Sequence, residues 1–116
     1  MRINVKILRI YLKEGDKYEG KVMYKYIVNM LKKEGISGAT VYRGIYGYGV
    51  RGISDFDIFR LSINLPVVIE CVDIEENINK VLPKLYEIIK ENGLIVITDG
   101  YVYKGESYEQ NIGENK

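Results

Sequence analysis

The chain has 116 residues, of which 47% are apolar and 28% charged, with a formal net charge of +1. That length supports one domain, which buries roughly two thirds of the surface its unfolded chain exposes. The near-neutral balance excludes a general attraction to nucleic acid or anionic lipid; the lone Cys71 excludes an internal disulfide, and the absence of histidine removes the commonest general base and metal ligand.

Residues 3–12 read as a strand. Ile3, Val5 and Ile7 put apolar side chains on one face, and Leu8, Ile10 and Leu12 put them on the other. A run apolar on both faces suits an interior strand or one at a subunit interface. Residues 13–20 follow as a polar loop. Its acids Glu14, Asp16 and Glu19 match no calcium-loop spacing and read as a solvated turn. Residues 21–34 are expected to be a helix, with Met23, Tyr26, Ile27, Met30 and Leu31 on one stripe. Lys32 and Lys33 suit its negative end, and Gly35 is the expected stop.

Residues 39–45 are expected to form an interior strand. A glycine-rich loop follows to Ser54, carrying Tyr46, Gly47, Tyr48, Gly49 and Arg51. Residues 58–63 read as a strand again. Pro66, which has no N–H for a ladder, marks a turn or bulge before a strand at 67–72. Cys71 within that strand reads as a small buried side chain.

Asp73 is placed to cap a second helix, with Glu76 at capping-box spacing. Ile74, Ile78, Val81, Leu82, Leu85, Ile88 and Ile89 form its stripe. Pro83 predicts a kink or break near residues 79–82, and Gly93 is the expected end. A last strand covers 94–98, with an extension through Tyr101 to Tyr103. Residues 104–116 are polar, and mobility is expected of them.

The order β-α-β-β-α-β is the ferredoxin-like arrangement, an α+β fold with an antiparallel sheet and two helices on one face. One such domain is expected over residues 4–103. The other face of the sheet needs a cover, which predicts an oligomer. The start of the chain lacks the apolar run of a signal peptide, and no run approaches the ~20 apolar residues of a membrane span. A cytoplasmic protein without membrane insertion is expected.

Gly47-Tyr48-Gly49-Val50-Arg51-Gly52 spells G-x-G-x-x-G. A dinucleotide fingerprint needs a helix to open at those glycines, and residues 53–64 carry no helical stripe. Two readings of the loop stand: a mobile linker between strands, or a segment that folds over a ligand. Nucleic-acid binding is not expected, because the strand at 67–72 has no aromatic side chain on which a base could stack. An acylphosphatase-type phosphate cradle is excluded by Glu14-Gly15-Asp16 after the first strand.

Several blocks together carry a resemblance. These are Leu8-Arg-Ile-Tyr-Leu, Gly35-x-x-Gly38-Ala-Thr-Val-x-Arg43-Gly-Ile-x-Gly-x-Gly49, Leu61-Ser62-x-x-Leu65-Pro-Val-Val-Ile-Glu-x-Val-Asp73 and Gly93-Leu94. The chain resembles the family filed as domain of unknown function 190, which is grouped with the nitrogen-regulatory PII signalling proteins. The resemblance implies a homotrimer of ferredoxin-like units with inward-facing sheets. It implies that residues 44–57 correspond to the T-loop. It also implies a regulatory protein rather than an enzyme, with an adenine nucleotide as effector in clefts between subunits. The binding residues so implied are Gly38, Thr40, Arg43 and Gly44 at the loop base, and Asn92 and Gly93 before the last strand. Lys104 is a basic group to be donated by a neighbour. Gly47, Gly49 and Arg51 add exposed amides and a second guanidinium.

For Arg43 two roles stand: contact with an anionic ligand, or a strand-end ion pair with Glu70. A regulated partner protein, such as a membrane transporter, is expected to read the loop. A ligand-free interaction module with the same loop is the alternative. No catalytic residue, cofactor or metal site is expected.

Overall fold

The computed structural model describes residues 1–49, 52–55 and 64–104. The expected strand at 58–63, Arg51 and residues 105–116 of the expected tail lie outside them. In chain order the elements are β1 (Arg2–Lys13), β2 (Lys17–Tyr18), β3 (Lys21–Val22), α1 (Met23–Lys33), β4 (Thr40–Arg43), β5 (Tyr46–Gly49), β6 (Gly52–Asp55), β7 (Pro66–Asp73), α2 (Glu75–Ile89) and β8 (Leu94–Tyr103). The main sheet is antiparallel, in the order β4-β7-β1-β8. This is the α+β, ferredoxin-like arrangement expected from the sequence.

β1 is interior, as its two apolar faces require. Leu8, Ile10 and Leu12 pair with Cys71, Ile69 and Val67 of β7 and point toward the helices. There they meet Met23, Ile27 and Leu31 of α1 and Ile78, Val81, Leu85 and Ile89 of α2. Each such fully buried aliphatic side chain contributes about 1.5–3 kcal/mol of transfer free energy. Burial pushes the Cys71 thiol up to about 12, so it stays protonated and inert.

The alternate residues of the strands form the face without helices. Across it Ile7 pairs with Val72, Arg9 with Glu70 and Tyr11 with Val68. Thr40 and Tyr42 continue this face on β4, and Leu94 and Val96 on β8.

α1 ends as its sequence requires. Gly35 takes φ 88°, its N–H donates to Lys32 O, and the Ile36 N–H donates to Leu31 O. This pair of bonds is a Schellman closure, with Ile36 buried beside Leu31 in the core.

Several expectations are corrected. α1 begins at Met23 instead of Lys21, because β2 and β3 form a small hairpin in front of it. Glu19 and Gly20 form its turn with φ 49° and 78°, the left-handed pair that suits a tight hairpin. β4 is shorter than the expected 39–45 and, among the described residues, is an edge strand paired only with β7. The glycine-rich segment is no plain loop. β5 and β6 pair antiparallel, Tyr46 with Asp55 and Gly49 with Gly52.

α2 starts at Glu75 without a side-chain cap. Asp73, the expected cap, is instead fully buried. Pro83 does not break α2, which runs on to Ile89. Lys90, at φ 48°, closes that helix before Gly93 is reached.

Candidate functional site

The site is built at the end of the sheet where β4 and β7 meet the start of the β5–β6 hairpin. The Gly44 N–H donates to Pro66 O at 2.7 Å. A Cβ on Gly44 would stand 2.9 Å from Pro66 Cγ, so only glycine allows this approach. The two ends of the 44–65 segment are thereby pinned together. The loop after β1 is pinned to the same place: Glu14 N–H donates to Leu65 O at 2.8 Å, and Gly15 N–H to Asn64 Oδ1 at 2.7 Å.

Arg43 is the last residue of β4. Its guanidinium forms an ion pair with Glu14. The expected partner, Glu70, is engaged elsewhere. It accepts from Arg9 Nε at 2.8 Å and from the Tyr42 hydroxyl at 2.8 Å. The Tyr42 hydrogen bond, then Arg9, holds the Glu70 carboxyl below the usual carboxylate range. The same bond raises the Tyr42 hydroxyl, since it favours the protonated phenol. Arg43 and Glu70 lie on opposite faces of the sheet, because they pair one residue out of phase along β7.

Gly38 is exposed and nothing lies within 4 Å of the place its Cβ would take. The residue before it is firmly held. Ser37 N–H donates to Asp73 Oδ2 at 2.9 Å, and Ser37 Oγ donates to Val72 O at 3.0 Å. Thr40 stands on the helix-free face opposite Glu70. A Cβ added to Gly47 would make ordinary contact with Pro66, and one added to Gly49 would meet open space. Arg51 lies outside the described residues.

Asn92 and Gly93 are not brought to this place. Arg43 pairs with Val67, Val67 with Leu12, and Gly93 precedes Leu94 at the far edge on β8. With β7 and β1 between the two edges, three strand spacings separate them, about 14 Å at ~4.8 Å each. Gly93 has its own packing reason: a Cβ there would lie 2.7 Å from both Leu12 Cδ2 and Tyr11 O. Lys104 continues past β8 at the other end of the sheet, its N–H donating to Met1 O at 3.0 Å. In one chain, then, the residues expected at the loop base and those expected before the last strand lie on opposite edges of the sheet.

The sequence profile of the DUF190 family, Uncharacterized ACR, matches residues 5–102. The chain belongs to the DUF190 family. It is 76% identical over 107 residues to the UPF0166 protein MJ1524 of Methanocaldococcus jannaschii, covering 92% of this chain and 99% of that one. Among solved structures it is similar to CPII, a nitrogen regulatory PII-like protein from Thiomonas intermedia K12 bound to ADP, AMP and bicarbonate. The TM-score is 0.70 at 18% identity, covering 90% of this chain and 92% of that one. A putative PII-like signaling protein of Thermus thermophilus matches with TM-score 0.62 at 18% identity, covering 91% and 96%. The DUF190 chain thus has a PII-like fold.

Glu14 was not legible as part of the site. Its acidic loop reads as a solvated turn, and only the strand order brings it beside β4. Pro66 likewise reads as a strand breaker, whereas its carbonyl is the acceptor that holds Gly44. The Pro66–Gly44 pairing had no signal beyond the two residue types.

Proposed function

We propose that this DUF190 chain is a PII-like regulatory protein that binds a small anionic metabolite, foremost an adenine nucleotide, in a cleft between subunits. The observation that carries this reading is the placement of Arg43. An exposed guanidinium stands at the pinned base of an exposed hairpin, on one edge of the sheet, while Asn92 and Gly93 stand on the opposite edge. Half-sites on opposite edges are completed by a head-to-tail arrangement of copies, which closes as a ring such as a trimer. The helix-free face supports the same arrangement, since Tyr11 and Leu94 leave apolar surface exposed on it. The nucleotides named for CPII are consistent with an effector of this class.

In this reading ligand capture by Arg43 is passed to residues 44–57, and a partner protein reads that segment. Calorimetric titration with ATP, ADP and AMP tests it. Saturable binding by the assembled protein, reduced at least tenfold in Arg43→Ala, is expected. Absence of heat with all three on the folded oligomer overturns it.

The hairpin supports one second reading, a ligand-free docking module. Ile45 and Tyr46 are exposed at the start of the hairpin, and Tyr48 further along β5 is 86% exposed, a concentration of apolar surface on this segment. Arg43→Ala then leaves every nucleotide titration unchanged, while Tyr48→Ser weakens partner capture.

A further inference from the structure

Glu14 occupies the position on Arg43 that an anionic ligand must take. We propose that Glu14 is a specificity-determining residue of the Arg43 site, a built-in carboxylate competitor that admits phosphate-bearing ligands and rejects weaker anions. The inference rests on the anion-binding reading above.

The competitor sits on a backbone turn that is tied to the base of the segment. Glu14 N–H is tied to Leu65 O and the next N–H to Asn64 Oδ1. A Cβ on Gly15 would stand 3.0 Å from Asn64 Oδ1, so this turn sits flush against the strand base. The Glu14 side chain is 21% exposed, against 59% for Arg43. The Arg43 side chain is the more exposed of the two, while the backbone that carries Glu14 is tied to the strand base.

The neighbouring charges do not serve in its place. Asp16 turns its Oδ2 back to Lys13 N–H at 2.9 Å. Glu70 is committed to Arg9 and Tyr42 on the opposite face of the sheet.

An incoming anion therefore meets a guanidinium whose Nη2 is already in contact with a carboxylate, and must compete with Glu14 for it. A single carboxylate gains nothing in that exchange. A carboxylate and a phosphate can both meet the guanidinium in a bidentate way, but a phosphate brings more negative charge, and so wins it. When Arg43 leaves, one tie between the 13–16 loop and β4 is lost, while the Gly44–Pro66 and Gly15–Asn64 bonds remain. Ligand occupancy thereby loosens one side of the hairpin base and keeps the hinge.

The test is a two-by-two set: wild type, Glu14→Gln, Arg43→Gln and the double variant, titrated with ADP and with acetate. Glu14→Ala replaces Glu14→Gln if the latter melts below wild type. Glu14→Gln is expected to bind ADP about fivefold tighter than wild type and to let acetate compete for the site. In the Arg43→Gln background the Glu14 substitution is expected to change nothing. Equal ADP affinity of wild type and Glu14→Gln overturns the competitor role and leaves the nucleotide reading standing. Equal tightening in the Arg43→Gln background overturns it too, because the charge then acts at a distance and not through Arg43. No ADP binding by wild type or Glu14→Gln overturns both readings.

Discussion

Asp73 joins two parts of the chain through Ser37: its Oδ2 accepts the Ser37 N–H at 2.9 Å across a separation of 36 residues. Its Oδ1 accepts from Ile74 N–H at 2.7 Å and from Asn77 Nδ2 at 2.9 Å. One fully buried carboxylate thus ties the loop before β4 to the start of α2. A buried acid is tolerated there because its oxygens are met by donors.

Asp73→Ala leaves the Ser37 N–H, the Ile74 N–H and the Asn77 amide without this acceptor. The expected cost is about 2–5 kcal/mol, from three donors that lose their acceptor, the Asn77 amide among them in the interior. Urea unfolding of the variant against wild type measures it. A loss within about 0.5 kcal/mol would mean that water replaces the carboxylate freely.

Glu70 gives a pH prediction. Its folded pKa is depressed, by Tyr42 first and Arg9 second. A depressed carboxylate contributes stability that is present above the ordinary carboxylate pKa and lost as pH falls through the lowered one. The melting-temperature gap between wild type and Glu70→Gln is therefore expected to be fully open at neutral pH and to close in strong acid. A gap that widens on acidification contradicts the assignment.

Leu94 tests the covering of the helix-free face. It is exposed in one chain, so Leu94→Asp is expected to change the stability of the fold by no more than about 0.5 kcal/mol. A face covered by other copies would have to desolvate the new charge. Sedimentation velocity is expected to show the variant shifted to monomer. An unchanged oligomer places the interface elsewhere.

Gly93 and Gly38 are expected to respond oppositely to alanine. At Gly93 the new Cβ meets a backbone carbonyl at 2.7 Å, which cannot move without shifting β1. Gly93→Ala is expected to cost about 1–3 kcal/mol as overpacking. Gly38→Ala enters open space and is expected to be near neutral. Thermal melts of the two variants side by side check the contrast.

Much of the fold was legible in the residues. Leu8, Ile10 and Leu12 alternate, and Met23, Ile27 and Leu31 recur at helical spacing, so their burial follows from local periodicity. Gly35 announced the end of α1 because only a left-handed residue closes a helix in that way. Pro83 misled because a proline in an exposed turn of a well-packed amphipathic helix is tolerated when the buried stripe of α2 holds both sides. The β5–β6 hairpin was hidden because its alternation, Tyr46-Gly47-Tyr48-Gly49, carries glycine where a packed face would show an apolar side chain.

The sequence by itself determined the order of the main-sheet strands and the two helices, the two-layer core, the family and the placement of Arg43 beside a glycine-rich segment. These rest on periodicity, on residue conformational limits and on a specific run of residues, all readable within a short window. Only the tertiary structure decided that β4 lies at the edge, that Arg43 meets Glu14 rather than Glu70, and that Gly93 stands across the sheet from Gly38. Those facts follow from the strand order β4-β7-β1-β8, in which β1 inserts between strands far away in sequence. Such neighbours are chosen by burying Leu8, Ile10 and Leu12 of β1 together with β7 beneath both helices, a global condition that no local pattern expresses.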